Sequence, residues 1–367
     1  MEPKRILQVV TIMNRGGLET MLMNYYRKMD RSKIQFDFMV HRTEKGHYDE
    51  EILKLGGQIF HMPQIKPGNY LKYFKSLDQF FLKHPEFHIV HSHINENSSF
   101  VLRSAKKFGI PIRIAHSHLS DLGMDLKFPF RMYARLLMKD SPNHYFACSE
   151  KAGKWLFGKN KNDVIILNNA VNADEFSFNQ ITRNNVRSQL GIKDELVLGH
   201  VGRFNKQKNH NFLIDIFKSV NDKHPESILL LIGDGHLRSE IEKKVKNLGL
   251  SSNVKFLGVR DDIPDLMQAM DLFLFPSLFE GLPVVLVEGQ AAGLRCVVSD
   301  SITKETDVTG RVHFVSLRSH QSQWANIILS LNYEHANTLN DLRENGYDAK
   351  YMAEWLSDYY SMDYQAK

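Results

Sequence analysis

Phe275-Pro-Ser-Leu-Phe-Glu-Gly-Leu-Pro-Val-Val-Leu-Val-Glu-Gly-Gln-Ala-Ala-Gly293 is the stretch on which the reading of this chain turns. The short apolar run Asp271–Phe275 reads as a buried strand. Pro283 fits the first turn of a helix, where its missing N–H costs nothing, and Gly293 fits the residue after the helix end. Glu280 then lies in the loop at the strand's carboxyl end, and Glu288 about two turns into the helix. Between them the N–H groups of Leu282, Val284 and Val285 point out of the helix start. A helix start that follows a parallel strand suits a phosphate. One carboxylate can face the reacting part of a substrate while the other accepts hydrogen bonds from sugar hydroxyls. The plain alternative makes Glu280 a solvated loop residue and Glu288 a surface charge. Against it stand Val284, Val285, Leu286, Val287, Ala291 and Ala292, which leave little polar face around Glu288, and a carboxylate inside a buried helix needs a partner.

Outward from that stretch, apolar runs alternate with helical patterns along the whole chain, the mark of doubly wound α/β architecture. Strands are expected near 6–10, 36–40, 59–61, 89–91, 112–115, 145–147 and 164–167, and again near 196–200, 228–232, 254–257, 271–275 and 295–298. The polar segment 168–187 interrupts the alternation and reads as a linker. At 367 residues the chain exceeds one comfortable core. The expected division is residues 1–178, residues 179–345 and a terminal segment 346–367, with two Rossmann-like domains facing a cleft.

Hydrophobic residues make up 43% of the chain and charged residues 24%, which fits a soluble globular protein rather than a disordered one. Cys148 and Cys296 sit in apolar, strand-like contexts that fit a reducing compartment. The opening Met1-Glu-Pro-Lys-Arg leads straight into a strand with no signal-peptide pattern, so a cytoplasmic protein is expected. The net charge of +5 is unevenly placed, and residues 103–161 hold twelve Lys/Arg against four Asp/Glu. Aromatic and apolar residues are interleaved there. The segment suits an anionic membrane surface, or it is simply a solvated basic face. Nucleic acid is disfavoured because no recognition motif accompanies the charge.

Several further loops follow predicted strands. After His200-Val-Gly come Arg203 and Lys208, a planar fork and a point charge that together suit a diphosphate. Gly233-Asp-Gly235 is a tight turn into a helix. Gly16 and Gly17 let backbone approach a phosphate closely, but G-x-G-x-x-G and its following acid are absent, which disfavours a nicotinamide oxidoreductase. The triplets His91–His93 and His116–His118 end neighbouring strands. Such pairs could ligate a metal, although no acid or cysteine is correspondingly placed. No Asp-x-Asp occurs, so a metal-bridged diphosphate is not expected.

Glu280 and Glu288, with the Gly-Leu-Pro turn and the Ala-Ala-Gly ending, resemble the E-x7-E signature of retaining glycosyltransferases of family 4, which have the GT-B fold. The resemblance extends over nearly the whole chain and is strongest over residues 196–300. It implies that Arg203 and Lys208 grip the donor diphosphate in place of a metal, and that Gly16 and Gly17 close over the donor phosphates. It further implies that Gly258 and Val259 lie beside a uracil-like base and that His116 hydrogen-bonds the donor sugar. Glu280 would orient that sugar, Glu288 would hold ribose hydroxyls, and Gly281, Leu282, Pro283, Val284 and Val285 would line the phosphate site. The last helix would cross back to the N-terminal domain. The opening Met-Asn-Arg-Gly-Gly-Leu-Glu-Thr is most similar to exopolysaccharide and capsule glycosyltransferases. The segment 302–315 departs from the family pattern, which usually carries a Pro-Glu pair and a Gly-rich turn. These signals converge on a retaining, metal-independent transferase that moves a hexose or N-acetylhexosamine from a UDP-sugar to a glycan or undecaprenyl-linked acceptor at the inner membrane face. The alternatives are a GT-B UDP-sugar epimerase and a non-catalytic partner subunit.

Overall fold

Apolar runs that can be covered on both faces form parallel strands, and these set the architecture of the computed structural model. It describes residues 2–66, 68–118, 128–158, 161, 163–280 and 282–362. The chain divides into two units, Met1–Ala170 with Ala349–Lys367, and Val171–Asp348. In the first unit lie β1 (Lys4–Val10), β2 (Ile34–Val40), β3 (Ile59–His61), β4 (Ile89–Ser92), β5 (Ile112–Ser117), β6 (His144–Ala147) and β7 (Val164–Ile166). They form one all-parallel sheet in the order β3-β2-β1-β4-β5-β6-β7. The second unit holds β8 (Leu196–Val201), β9 (Ser227–Ile232), β10 (Val254–Gly258), β11 (Leu272–Phe275), β12 (Arg295–Ser299) and β13 (Val312–Val315). Their order is β10-β9-β8-β11-β12-β13, again all parallel. In each sheet the winding reverses beside the first strand, between β1 and β4 and between β8 and β11. Ligands of open parallel sheets bind outside the carboxyl ends of the strands at such reversals.

The helix that follows β11 spans Val284–Ala291. Pro283 is its N-cap rather than a first-turn residue, with extended backbone that suits a residue ahead of the first turn. Gly293 has φ +71°, and a Cβ there would run into the backbone of Ala336, so the chain leaves the helix through a position only glycine fills.

Three expectations change. The segment 168–187 is not a linker: it contains the helix Ala173–Phe176 and most of the helix Gln180–Gln189. Ala173, Phe176 and Val186 enter the second unit's core, and the Val171 N–H bonds the Tyr347 carbonyl at 2.9 Å. The division therefore falls at 170/171 and 348/349 instead of 178/179 and 345/346. In the tail, Tyr347, Tyr351, Trp355 and Tyr359 recur at helical spacing and suggest an aromatic stripe, but Tyr347 precedes the helix Ala349–Ser361. Tyr351 is 54% exposed, and the buried face runs instead through Met352, Ala353, Leu356, Tyr359 and Tyr360. That face packs in the first unit with Met21, Tyr25, Phe36 and Phe146. Last, Val312–Val315 in the departing segment is an edge strand.

A buried clasp holds the amino end of the second sheet. Asp271 accepts from Arg183 Nη2 at 2.5 Å, Arg187 Nη1 at 3.4 Å and the Val197 N–H at 2.7 Å. Arg187 also donates to the carbonyls of Ala269, Lys193 and Glu195. Removing one partner of such a group strands a buried charge. Asp271→Ala is therefore expected to lower stability by about 3–5 kcal/mol, read as a shift in urea midpoint. A loss below about 1 kcal/mol would place the clasp with ordinary surface pairs instead.

Candidate active site

In the second unit the two loops at the sheet's reversal are stitched together. The loop after β8 ends at Asn209, which takes a left-handed backbone (φ +55°) at the start of the helix His210–Asn221. Asn209 Nδ2 bonds the Pro276 carbonyl at 3.1 Å, and the Leu278 N–H bonds the Gln207 carbonyl at 2.8 Å. Gln207 Nε2 bonds both the Phe279 carbonyl and Glu280 Oε2 at 3.1 Å. Lys208 Nζ then reaches Glu280 Oε1 at 2.7 Å, and its ammonium lies 4.4 Å from the centre of the Phe275 ring. Their side chains are only 16% and 8% exposed, so this ion pair is far less screened than a surface one.

Arg203 stands beside this pair on the β8 loop, exposed and without an ion pair or side-chain hydrogen bond to any described residue. Two guanidinium or ammonium groups at one carboxyl end, one paired and one open, match the demands of a diphosphate. The neighbouring loops are tied in as well. The Gly233 N–H bonds the Gly258 carbonyl at 2.8 Å, and the Phe204 N–H bonds the Asp234 carbonyl at 3.0 Å. Gly233 has φ +130°, and a Cβ there would strike the Gly202 carbonyl. Val259, 65% exposed, follows Gly258 at the end of β10. Leu282, Val284 and Val285 are each partly open to solvent at the start of the helix after β11, whereas Pro283 is buried. Gly281 lies outside the described residues.

Glu288 sits on that same helix. It is partly accessible, and its side chain makes no hydrogen bond to a described residue. Burial of its carboxyl pushes the pKa up to about 7. An acid held at the edge of neutrality without a protein partner is ready to accept from hydroxyls that a ligand would bring.

In the first unit, Gly16 caps the helix Gly17–Lys28 through extended backbone, directly after β1 and its loop. At the ends of β4 and β5 the two histidine triplets meet. His91, His93 and His116 are each at most 2% exposed. His91 Nε2 lies 3.1 Å from His116 Nδ1, and His93 Nδ1 lies 3.0 Å from His118 Nε2. Burial, aided by the neighbouring imidazoles, holds His91, His93 and His116 neutral well below their ordinary pKa, and burial takes His118 down to about 3. One ring nitrogen from each of His91, His93 and His116 lies within 4.8 Å of the others. The His91 and His93 rings are stacked 4.3 Å apart at 24°, and the His116 and His118 rings lie 4.0 Å apart at 31°. The His93 and His116 rings are tilted by 43°, and His91 Nε2, His116 Nδ1 and His93 Nδ1 already face neighbouring imidazoles. The arrangement is a hydrogen-bonded stack.

The expected residues thus fall in two groups: His116, Gly16 and Gly17 in the first unit, and Arg203, Lys208, Gly258, Val259, Glu280, Leu282, Pro283, Val284, Val285 and Glu288 in the second. The reading from sequence overlooked Gln207, which holds Glu280, and Tyr360, whose hydroxyl lies 2.6 Å from His91 Nδ1. A polar residue beside Lys208 signals the first weakly. For Tyr360 the chain carries no signal except a helical face shifted by one residue from the aromatic stripe.

Glu288 has a pH consequence. Its pKa is raised above an unfolded value near 4.5, so its carboxyl costs nothing below that value and progressively destabilises the fold as pH rises through about 7. The full cost is about 3 kcal/mol. Glu288→Gln is expected to flatten the decline in unfolding free energy between pH 5 and pH 8 and to leave the acid side unchanged. An unaltered profile would show that the carboxyl is solvated.

Comparison with known proteins identifies the family and the fold. Residues 15–175 match "Glycosyltransferase Family 4", and residues 182–348 match "Glycosyl transferases group 1". The EpsF protein of Bacillus subtilis (strain 168), by its name a glycosyltransferase, is 40% identical over 334 residues, spanning 89% of this chain and 87% of its own length. CapH of Staphylococcus aureus, named as a capsular polysaccharide biosynthesis glycosyltransferase, is 25% identical over 82% of each chain. Among solved structures, Anabaena HepE in complex with UDP superposes with a TM-score of 0.74 at 19% identity, covering 97% of this chain and 95% of that one. Matched in turn over both halves, and aligned with a 40% identical relative along most of its length, the chain belongs to the GT-B glycosyltransferases of family 4.

Proposed function

We propose that the protein is a retaining glycosyltransferase of bacterial surface-polysaccharide synthesis that takes its sugar from a UDP-sugar without a metal on the diphosphate. The observation that carries this reading is the Lys208–Glu280 pair beside the open Arg203 at the β8/β11 reversal. There a fixed cation and a free guanidinium can stabilise the charge that develops on a leaving diphosphate. In this reading the bond from the anomeric carbon to the diphosphate breaks while the acceptor oxygen attacks from the same face. The acceptor's proton passes to the departing phosphate oxygen. Glu280 and His116 orient the sugar, Glu288 accepts from the ribose hydroxyls, Gly258 and Val259 flank the base, and Gly16, Gly17 and the helix start at Val284 approach the phosphates.

The acceptor in this reading is lipid-linked. An Escherichia coli relative, 27% identical over 63% of this chain, is named for transfer to a diphosphoundecaprenol-linked sugar, and CapH is named for capsule synthesis. The first unit also carries a cavity of about 650 Å³ walled by Tyr70, Phe74, Leu77, Phe100, Phe130 and Tyr133. Leu71, Tyr133 and Leu136 stand exposed nearby in sequence, and Arg103 and Lys107 supply cations at the same cavity. Such a surface favours peripheral contact with an anionic bilayer. Part of the basic segment, 119–127, lies outside the described residues. No described helix is long and apolar enough to cross a membrane.

The test is calorimetric titration of UDP, GDP and ADP in the presence of EDTA. UDP is expected to bind most tightly. Arg203→Ala and Glu288→Ala are each expected to weaken it about tenfold, the cost of one charge-assisted contact. UDP-sugar consumption should then require an added lipid-linked glycan. Failure of every nucleotide to bind, or a strict need for divalent metal, would sink the reading, and conversion of a UDP-sugar without acceptor would make the protein an epimerase.

A further inference from the structure

Deeper in the first unit, a chain of hydrogen bonds ends at His116. His93 Nε2 lies 2.8 Å from Gln8 Oε1, Gln8 Nε2 lies 3.3 Å from the Tyr360 hydroxyl, that hydroxyl lies 2.6 Å from His91 Nδ1, and His91 Nε2 lies 3.1 Å from His116 Nδ1. All five side chains are at most 2% exposed. Hydrogen bookkeeping gives the chain a direction. A contact of 2.8 Å suits N–H···O, and 3.3 Å is too long for O–H···O, so the Gln8 carbonyl faces His93 and its amide faces Tyr360. The Tyr360 oxygen accepts from Gln8. Its own proton, buried and needing an acceptor, goes to His91 Nδ1. His91 must then carry its proton on Nε2 and donate it to His116 Nδ1. The remaining nitrogen, His116 Nε2, is left with a proton, and it is buried without a hydrogen-bond partner among the described residues.

We propose that Tyr360, on the C-terminal helix, is a positioning residue that acts through His91 to lock His116 in its Nε2–H tautomer. His116 thereby meets the donor as a hydrogen-bond donor to a sugar or phosphate oxygen and not as a base. The functional half of this inference rests on the reading of His116 given above; the tautomer itself does not. A base at this place would need a free lone pair on Nε2, and the relay assigns that atom a proton. The buried face of the terminal helix then has a chemical as well as a packing role. The Tyr360 ring also packs edge-on against Phe36, 6.1 Å between centres, so Tyr360→Phe keeps the packing and removes only the hydroxyl.

The experiment is long-range 1H–15N correlation of the histidine-labelled full chain without nucleotide. Wild type is expected to show His116 with its proton on Nε2, and Tyr360→Phe to show mixed or reversed tautomers with unchanged circular dichroism and a melting temperature lowered by the loss of the buried hydroxyl's hydrogen bonds. In the double variant His91→Gln, Tyr360→Phe, the Gln side-chain amide can donate to His116 Nδ1 with no help from residue 360, and the Nε2–H form should return. With UDP-glucose as probe, Tyr360→Phe should lower the rate of donor hydrolysis about tenfold at unchanged UDP affinity, and the double variant should recover most of it. A wild-type His116 protonated on Nδ1, or a Tyr360→Phe protein that keeps the wild-type pattern, overturns the relay. Loss of all UDP-glucose binding in wild type would instead count against the donor reading, because the tautomer is read without nucleotide.

Discussion

The geometry of this protein follows from one constraint: a right-handed crossover cannot bring successive parallel strands to both sides of a first strand without reversing direction there. At β1/β4 and β8/β11 the helices leave toward opposite faces, and the loops at the carboxyl ends part. At these places charged side chains can approach the strand ends from a crevice open to a ligand. The polar residues that matter cluster accordingly: the histidine stack at the ends of β4 and β5, Arg203 and Lys208 beyond β8, and Glu280 beyond β11. Elsewhere the sheets are lined mostly by apolar side chains, with the Arg5–Asp37 pair of β1 and β2 as an exception.

At the second reversal the protein supports a destabilising arrangement. A Lys–Glu pair withdrawn from water recovers its desolvation cost only when further hydrogen bonds satisfy both partners. Gln207 and the Phe275 ring serve that purpose for Glu280 and Lys208. Glu288 has no such help from the described residues, and its raised pKa records the strain. Groups held away from their own equilibrium in a crevice are the usual mark of a site built for a ligand. The Asp271 clasp at the opposite end of the sheet is satisfied by contrast, accepting from two guanidinium groups and a backbone N–H.

How far the chain could be read depended on burial. Strands covered on both faces are near-continuous apolar runs, and every strand of this kind was visible. Val312–Val315 was not: it is four residues long with His313 inside it, and it follows a mostly polar segment. The helix Gln180–Gln189 escaped for a related reason: it shows mostly polar residues and buries only Val186 and Arg187. The E-x7-E pair and the Arg203/Lys208 loop could be read because each lies within one strand-loop-helix unit. Their partnership could not, since Lys208 and Glu280 meet only when β8 and β11 become neighbours. The Gln8–Tyr360–His91–His116 chain draws on three strands and the last helix, and no local pattern carries it.

The first unit is discontinuous: its core takes Met352, Leu356, Tyr359 and Tyr360 from a segment that follows the whole of the second unit. During synthesis from the amino end, residues 171–348 emerge complete and can fold as one contiguous body while the earlier 170 residues still lack part of their interior. The hydroxyl neighbour of His91 comes from that same late segment. The helix Ala349–Ser361 thus completes the first unit's interior from the far side of the second in sequence.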